Sequence, residues 1–181
     1  AIRGPAQLVI PSDVKTILEE ASTRTGVPLD ELARAAKQES DFGRNTGTGR
    51  AKGLFQFMPA TWEFAKREWG DIHGIPSTAT PDNPRFNAIL GAEYIKHVKD
   101  QIEQKTGRYA PGEYYLGHFM GPTGGANLIK MMQETPDEPA ASRFPKAAAS
   151  NRTVFYNRDG TPKTAREVYD WAVRIGNGTP A

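Results

Sequence analysis

Residues 36–62 read AKQESDFGRNTGTGRAKGLFQFMPATW. The stretch begins inside a predicted helix whose apolar residues, Leu29, Leu32, Ala33 and Ala36, keep the 3.6-residue period. That helix ends on Glu39-Ser40. A glutamate at a helix C-terminus opposes the macrodipole, a mild cost that a solvated surface residue tolerates. Four glycines then fall between Asp41 and Gly53, which predicts a break in the helix and an irregular or hairpin segment. Residues 42–62 carry Arg44, Arg50 and Lys52 but no Asp or Glu. Glu39 is thus a lone acid ahead of a cationic, glycine-rich link.

Helices flank this stretch. Residues 11–26 set Val14, Ile17, Leu18 and Ala21 on one face, with Ser12 as the expected N-cap and Gly26 as the stop. Residues 59–70 predict a helix with Pro59 in its first turn. The clearest helix spans 84–105, where Phe86, Ile89, Leu90, Tyr94, Ile95 and Val98 keep the helical period. Two short helices are expected at 111–121 and 124–134. Residues 143–163 read mostly as loop, with Asn157-Arg158-Asp159-Gly160 as a turn. Residues 164–176 read as an amphipathic helix. The fold class is mainly α, with at most a small β element near residues 42–57. One domain over 1–181 is expected, its core at about 12–135 and the segment 136–181 packing on it as loop and helix.

Composition narrows the function. The chain has 181 residues, a formal charge of +2 and no cysteine. Disulfides and thiolate metal sites are excluded. Lys and Arg alternate with acids rather than forming a basic block, so no nucleic-acid partner is expected. No apolar run approaches the roughly 18 residues of a membrane span. The chain shows no signal segment and does not start with Met. It reads as a processed or excised piece with loose Gly/Pro-rich ends, AIRGPAQ and GNGTPA. Three histidines, His73, His97 and His118, form no H-E-x-x-H pair, so neither metal nor cofactor is expected. The glycine-rich GTGRAKG misses both phosphate-loop patterns.

Glu39-Ser40, then Gly53-Leu54-Phe55-Gln56-Phe57-Met58-Pro59-Ala60-Thr61, then Gly117-His118-Phe119-Met120-Gly121-Pro122 succeed one another in order. This succession resembles the family 1 (SLT-like) lytic transglycosylases, over about residues 12–135. Phe55 replaces the usual Met of the second motif, and His118-Phe119 replace the usual Tyr-Asn of the third. The resemblance implies a lysozyme-like, mostly helical fold and peptidoglycan glycan strands as the partner. It also implies cleavage of the MurNAc-GlcNAc β-1,4 bond with a 1,6-anhydromuramoyl product. Glu39 is then the catalytic acid/base. Ser40, Gln56, Phe55, Met58, Tyr114, Tyr115 and His118 are the expected substrate-binding residues, with segment 112–122 as the far wall of the cleft. The C-terminal stretch from Phe144 to Ala172 looks like those of wall-degrading proteins of phage particles. The expected setting is a phage virion or the bacterial periplasm and cell wall, with a larger virion or multidomain protein as the parent.

The residues support this chemistry independently of the resemblance. Glycosidic cleavage needs a proton delivered to the leaving oxygen, and an acid with a raised pKa does so at neutral pH. Leu54, Phe55, Phe57 and Met58 are candidates for the apolar wall that raises it. Hydrolysis usually needs a second carboxylate. None stands in 42–62, and Asp41 is at the wrong helical spacing. A single acid suits attack by the sugar's own 6-hydroxyl, an intramolecular nucleophile of high effective concentration. Two rivals stand. A lysozyme would use a distant base such as Asp71 or Asp82. A wall-binding or virion-structural module would have lost the chemistry.

Several residues carry an architectural reading beside the functional one. Ser40 caps the loop, and Gln56 bonds local backbone. Tyr114 and His118 share a helical face. Trp62 and Trp69, seven apart, read as core, and so does Phe119. Tyr156 is a candidate for a tyrosine that the family's later motif supplies.

Overall fold

The computed structural model describes residues 8–178. Of the ends read as loose, residues 1–7 and 179–181 lie outside the described residues, whereas Gly176 is not loose but the buried last residue of the final helix, followed by a turn at 177–178. The described chain is mainly helical and divides into two compact units at Lys96/His97.

The first unit holds α1 (Ser12–Thr25), α2 (Leu29–Ser40), α3 (Pro59–Trp69), a 3-10 turn at Asp71–His73 and the first half of α4 (Pro84–Thr106). Helix α1 buries Val14, Leu18 and Ala21, leaves Ile17 half-buried, and packs on α2. Each fully buried Leu contributes roughly 1.5–3 kcal/mol. Gly26 ends α1 in the left-handed region, as expected. Ser12 is not the N-cap. Pro11 occupies that place and Ser12 is the first helical residue, without a side-chain cap. Pro28 precedes α2 in the same way. Proline's fixed φ leads the chain into a helix where no capping side chain does so. Asn83 caps α4 by accepting from the Phe86 backbone N–H at 3.0 Å, with Pro84 as the first helical residue. A buried polar pair, His73 Nε2 to Glu93 Oε1 at 2.9 Å, ties the 3-10 turn to α4.

The second unit holds the rest of α4, then α5 (Tyr114–Glu134), α6 (Ala140–Arg143), α7 (Pro145–Ser150), α8 (Arg152–Phe155) and α9 (Ala165–Gly176). Gly121 is non-helical and Pro122 comes next, so α5 is two helical pieces meeting at a kink. The two short helices expected at 111–121 and 124–134 are those pieces. Residues 143–163 are not mostly loop. Short helices α7 and α8 fill its first half, just after the one-turn α6, and they are held by the buried Ala148, Val154 and Phe155. Such short helices have no detectable period, and packing rather than propensity stabilises them. The turn at 157–160 forms as read, with the Gly160 N–H donating to the Asn157 carbonyl at 3.0 Å. Helix α9 starts with a capping box between Thr164 and Glu167 and packs on α5.

The second unit also contains a closed polar network. The Glu113 carboxylate is wholly buried. It accepts from Arg108, from the Tyr169 hydroxyl at 2.6 Å and from the Ala110 N–H at 3.0 Å. The Tyr169 phenol is pushed up to about 12, first by burial and then by its bond to Glu113.

Candidate active site

Glu39 lies in the last turn of α2, half-buried, with Oε1 shielded from solvent. The helix stops abruptly just beyond it. Asp41 and Phe42 both take left-handed backbone angles, φ 48° and 59°. A bulky residue there is a conformational outlier. The buried Phe42 ring holds the turn in place, and the Phe42 N–H donates to the Ala36 carbonyl at 3.2 Å. Asp41 is exposed at this turn and belongs to no helical face shared with Glu39.

The second motif folds as a tight hairpin. Lys52 and Phe57 exchange both backbone hydrogen bonds at 2.9 Å, enclosing residues 53–56. This is the small β element expected near 42–57. Gln56 sits at its tip, half-buried and left-handed at φ 49°, with Nε2 donating to the Gly53 carbonyl at 2.8 Å. Leu54, Phe55 and Phe57 are buried, whereas Met58 is 45% exposed and stands outside the apolar wall proper. The Phe57 ring meets Trp62 edge-on at 5.1 Å and Tyr94 at 6.4 Å. Burial pushes the Tyr94 phenol up to about 12. Trp62 is core as read, with Nε1 donating to the Ala79 carbonyl at 3.0 Å. Trp69 is half-buried, edge-on to Phe64.

Ser40 joins the two motifs. Its hydroxyl donates to the Leu54 carbonyl at 2.7 Å and accepts from the Gly43 N–H at 2.8 Å. It is 1% exposed, so its contacts are internal and it holds the Glu39 turn against the hairpin.

Sequence reasoning missed the residue that fixes the hairpin from the other side. Asn87 of α4 is wholly buried. Its Oδ1 accepts from the Phe55 N–H at 2.8 Å, and its Nδ2 donates to the carbonyls of Lys52 (3.1 Å) and Pro81 (2.8 Å). The hairpin fits under it only because Gly53 lacks a Cβ, which would collide with the Asn87 amide and the Pro81 carbonyl. Gly91, one turn along α4, leaves the space that the Phe55 ring occupies. The available signal was Asn87 itself, a lone amide on the buried stripe of a long helix, which must find partners.

The remaining predicted residues lie in the second unit. Tyr114 is buried, and its backbone N–H donates to the Tyr109 hydroxyl at 3.2 Å. His118 is exposed and stacks on Tyr115 at 5.9 Å. Four residues of helix leave ~40° between side chains, and Tyr114 and His118 occupy different environments. Phe119 is half-buried between Phe155 and Trp171, so the aromatic replacement in the third motif joins an aromatic cluster. Tyr156 is half-buried beneath the Arg152 guanidinium, 4.8 Å from its ring centre.

No helix among the described residues is long and apolar enough to cross a membrane. A family model described as the transglycosylase SLT domain matches residues 16–120, more than half of the chain. The match spans α1 to the start of α5 and includes Glu39, the hairpin and Asn87.

Proposed function

The chain belongs to the SLT transglycosylase family, and from that premise we propose that Glu39 is the sole acid/base of a non-hydrolytic cut. The enzyme is a peptidoglycan lytic transglycosylase of lysozyme-like, helical fold that cleaves glycosidic bonds. In the proposed reaction the Glu39 carboxylic acid gives its proton to the oxygen bridging MurNAc C1 and GlcNAc C4. The C1–O bond breaks as the GlcNAc hydroxyl leaves. The Glu39 carboxylate then takes the proton from the MurNAc 6-hydroxyl as O6 bonds to C1. The carboxyl group ends protonated, no water is consumed, and the product is a 1,6-anhydroMurNAc end.

One observation carries this reading. The buried Ser40 hydroxyl bridges the Glu39 turn and the Leu54 carbonyl, so the lone acid and the hairpin form one piece. Gln56 is the proposed sugar contact from that hairpin, because an amide donates and accepts with equal ease. Its left-handed backbone supports a role there, since such strain persists where a side chain must be presented. The exposed Met58 is proposed as an apolar platform for a sugar, and Phe55 as the support beneath. Tyr114, Tyr115 and His118 are proposed substrate contacts on the motif alone. The likeness of the C-terminal stretch favours a virion-borne enzyme, which detection of the protein in purified particles would test.

Mass spectrometry of soluble products from purified peptidoglycan tests the mechanism. Wild type should release muropeptides one water lighter than hydrolysed ones, and Glu39→Gln should release none. Products of full hydrolytic mass would overturn the single-acid route.

A further inference from the structure

We propose that a cationic cavity on α8 and the turn after it binds carboxylates of the peptides that peptidoglycan strands carry. This deepens the transglycosylase reading and rests on it for the identity of the polymer. The cavity is an open depression of about 550 Å³, and Arg152, Tyr156, Asn157, Arg158 and Lys163 line it. No carboxylate lines it. Among the described residues none of its three cations is in an ion pair. The nearest acid in sequence, Asp159, is committed to its own turn. It accepts from the Thr161 hydroxyl at 2.6 Å and from the Thr161 N–H at 3.0 Å. The cavity therefore gathers the charges of Arg152, Arg158 and Lys163 with no counter-charge in its lining.

Two of the cations are held by side-chain contacts, and the third by its place in a closed turn. Phe155, wholly buried, anchors the chain beside them, and its carbonyl accepts from the Lys163 N–H at 2.8 Å. The Lys163 ammonium donates to the Thr153 carbonyl at 3.3 Å and keeps two further protons to offer. Arg152 rests over the Tyr156 ring, which limits its rotamers without using its N–H groups. Arg158 is set by the 157–160 turn, whose ends are closed by the Asn157 N–H to the Thr161 carbonyl at 2.8 Å. Three separated cations around a space larger than one ion suit a short peptide bearing several carboxylates.

The ligand class comes from the substrate. The N-acetylated sugars of peptidoglycan strands are neutral, a lactyl group that bears a peptide is a neutral amide, and the attached peptides end in carboxylates. The function would be to increase affinity for peptide-bearing strands over bare glycan.

The full chain tests this, comparing wild type with the triple variant Arg152→Gln, Arg158→Gln, Lys163→Gln. All three side chains reach solvent, so circular dichroism and melting should be unchanged. On peptide-bearing peptidoglycan the variant should show KM raised about tenfold with kcat unchanged, the scale of a few exposed ion pairs. On strands whose carboxylates have been converted to amides with carbodiimide and ammonia the two proteins should be equal. Equal loss on both substrates, or none on either, would overturn the proposal. A second arm needs no turnover. Calorimetric titration of Glu39→Gln with free stem tripeptide should show binding that the three further substitutions abolish. Binding of inorganic phosphate but not of the tripeptide would overturn the proposal. Tripeptide binding without cleavage of any substrate by wild type would sustain it while sinking the transglycosylase mechanism.

Discussion

The hairpin at 52–57 and the network around Glu113 are both buried polar anchors, one in each unit, and they are built oppositely. Glu113 gathers Arg108, Tyr169 and the Ala110 N–H on one carboxylate, and the positive φ angles beside it fall on glycines, Gly107 and Gly112. The hairpin is pinned by the neutral amide of Asn87. It carries Gln56 and is tied through Ser40 to the turn of Asp41 and Phe42, and these three are the positive-φ non-glycine residues of the described chain. Non-glycine positive φ gathers around the proposed acid and its hairpin, whereas the Glu113 network is closed on its own partners. Glu39 sits on the strained side of that division.

The comparison can be broken at its extremes. Glu39→Gln keeps the volume of the side chain. It should lower turnover of peptidoglycan by at least about 10³-fold, the upper range for loss of an acid/base group, with an unchanged melting temperature. A variant within tenfold of wild type would remove Glu39 from the chemistry. Asn87→Ala leaves the Phe55 N–H and two carbonyls without their partner and should cost about 2–4 kcal/mol in denaturant unfolding. Turnover should fall with it, because the hairpin relaxes. Glu113→Gln should cost about 1.5–3 kcal/mol by replacing the charge-assisted bonds from Arg108 and Tyr169 with weaker ones, yet leave kcat/KM intact. Equal loss of activity in both variants would erase the division between the anchors.

Gln56→Gly sharpens the contrast further. Glycine accepts the left-handed angle freely, but relief of about 1 kcal/mol of strain is offset by the lost Nε2 bond to Gly53 and by glycine's greater unfolded-state entropy, so stability should change little while kcat/KM falls. Gln56→Ala should lose about 1–3 kcal/mol of transition-state binding. An unchanged rate in both would make the amide purely structural. The smallest effect lies at high pH. Tyr94 and Tyr169 are both pushed up to about 12, chiefly by burial. The fold favours their protonated forms, so this contribution is whole below pH ~10 and is lost as pH rises toward about 12. Tyr169→Phe and Tyr94→Phe should each flatten the alkaline fall in stability relative to wild type.

Much of this was legible in the residues. Long helices declare themselves through period, as with Phe86, Ile89, Leu90 and Tyr94, and the Glu39-Ser40 and GLFQFMP segments stand out as motifs. The one-turn helices at 140–155 do not, because burial of Phe155 and Val154 stabilises them and four residues hold no period. The N-terminus of α1 differs by one residue from its sequence reading because Pro11 leads the helix without a side-chain cap. Ser40 reads as a substrate contact, and its hydroxyl is instead the internal bridge. Asn87 escapes notice because two of its three partners are backbone groups 32 and 35 residues away, which no local pattern records.

The fit of Phe55 against Gly91 also constrains the order in which this sequence can change. A methyl group at position 91 would lie 2.7 Å from the Phe55 ring. Alanine would otherwise be welcome inside α4, by about 1 kcal/mol over glycine. The family motif usually carries methionine at position 55, a thinner and more pliable side chain. Gly91 cannot change to Ala while Phe55 holds this rotamer. Met at 55 would still carry the Cβ and Cγ that stand 3.1 and 2.7 Å from that methyl, so the second step needs the unbranched chain to turn about χ1 as well. Position 91 is free to change only after the side chain at 55 has moved.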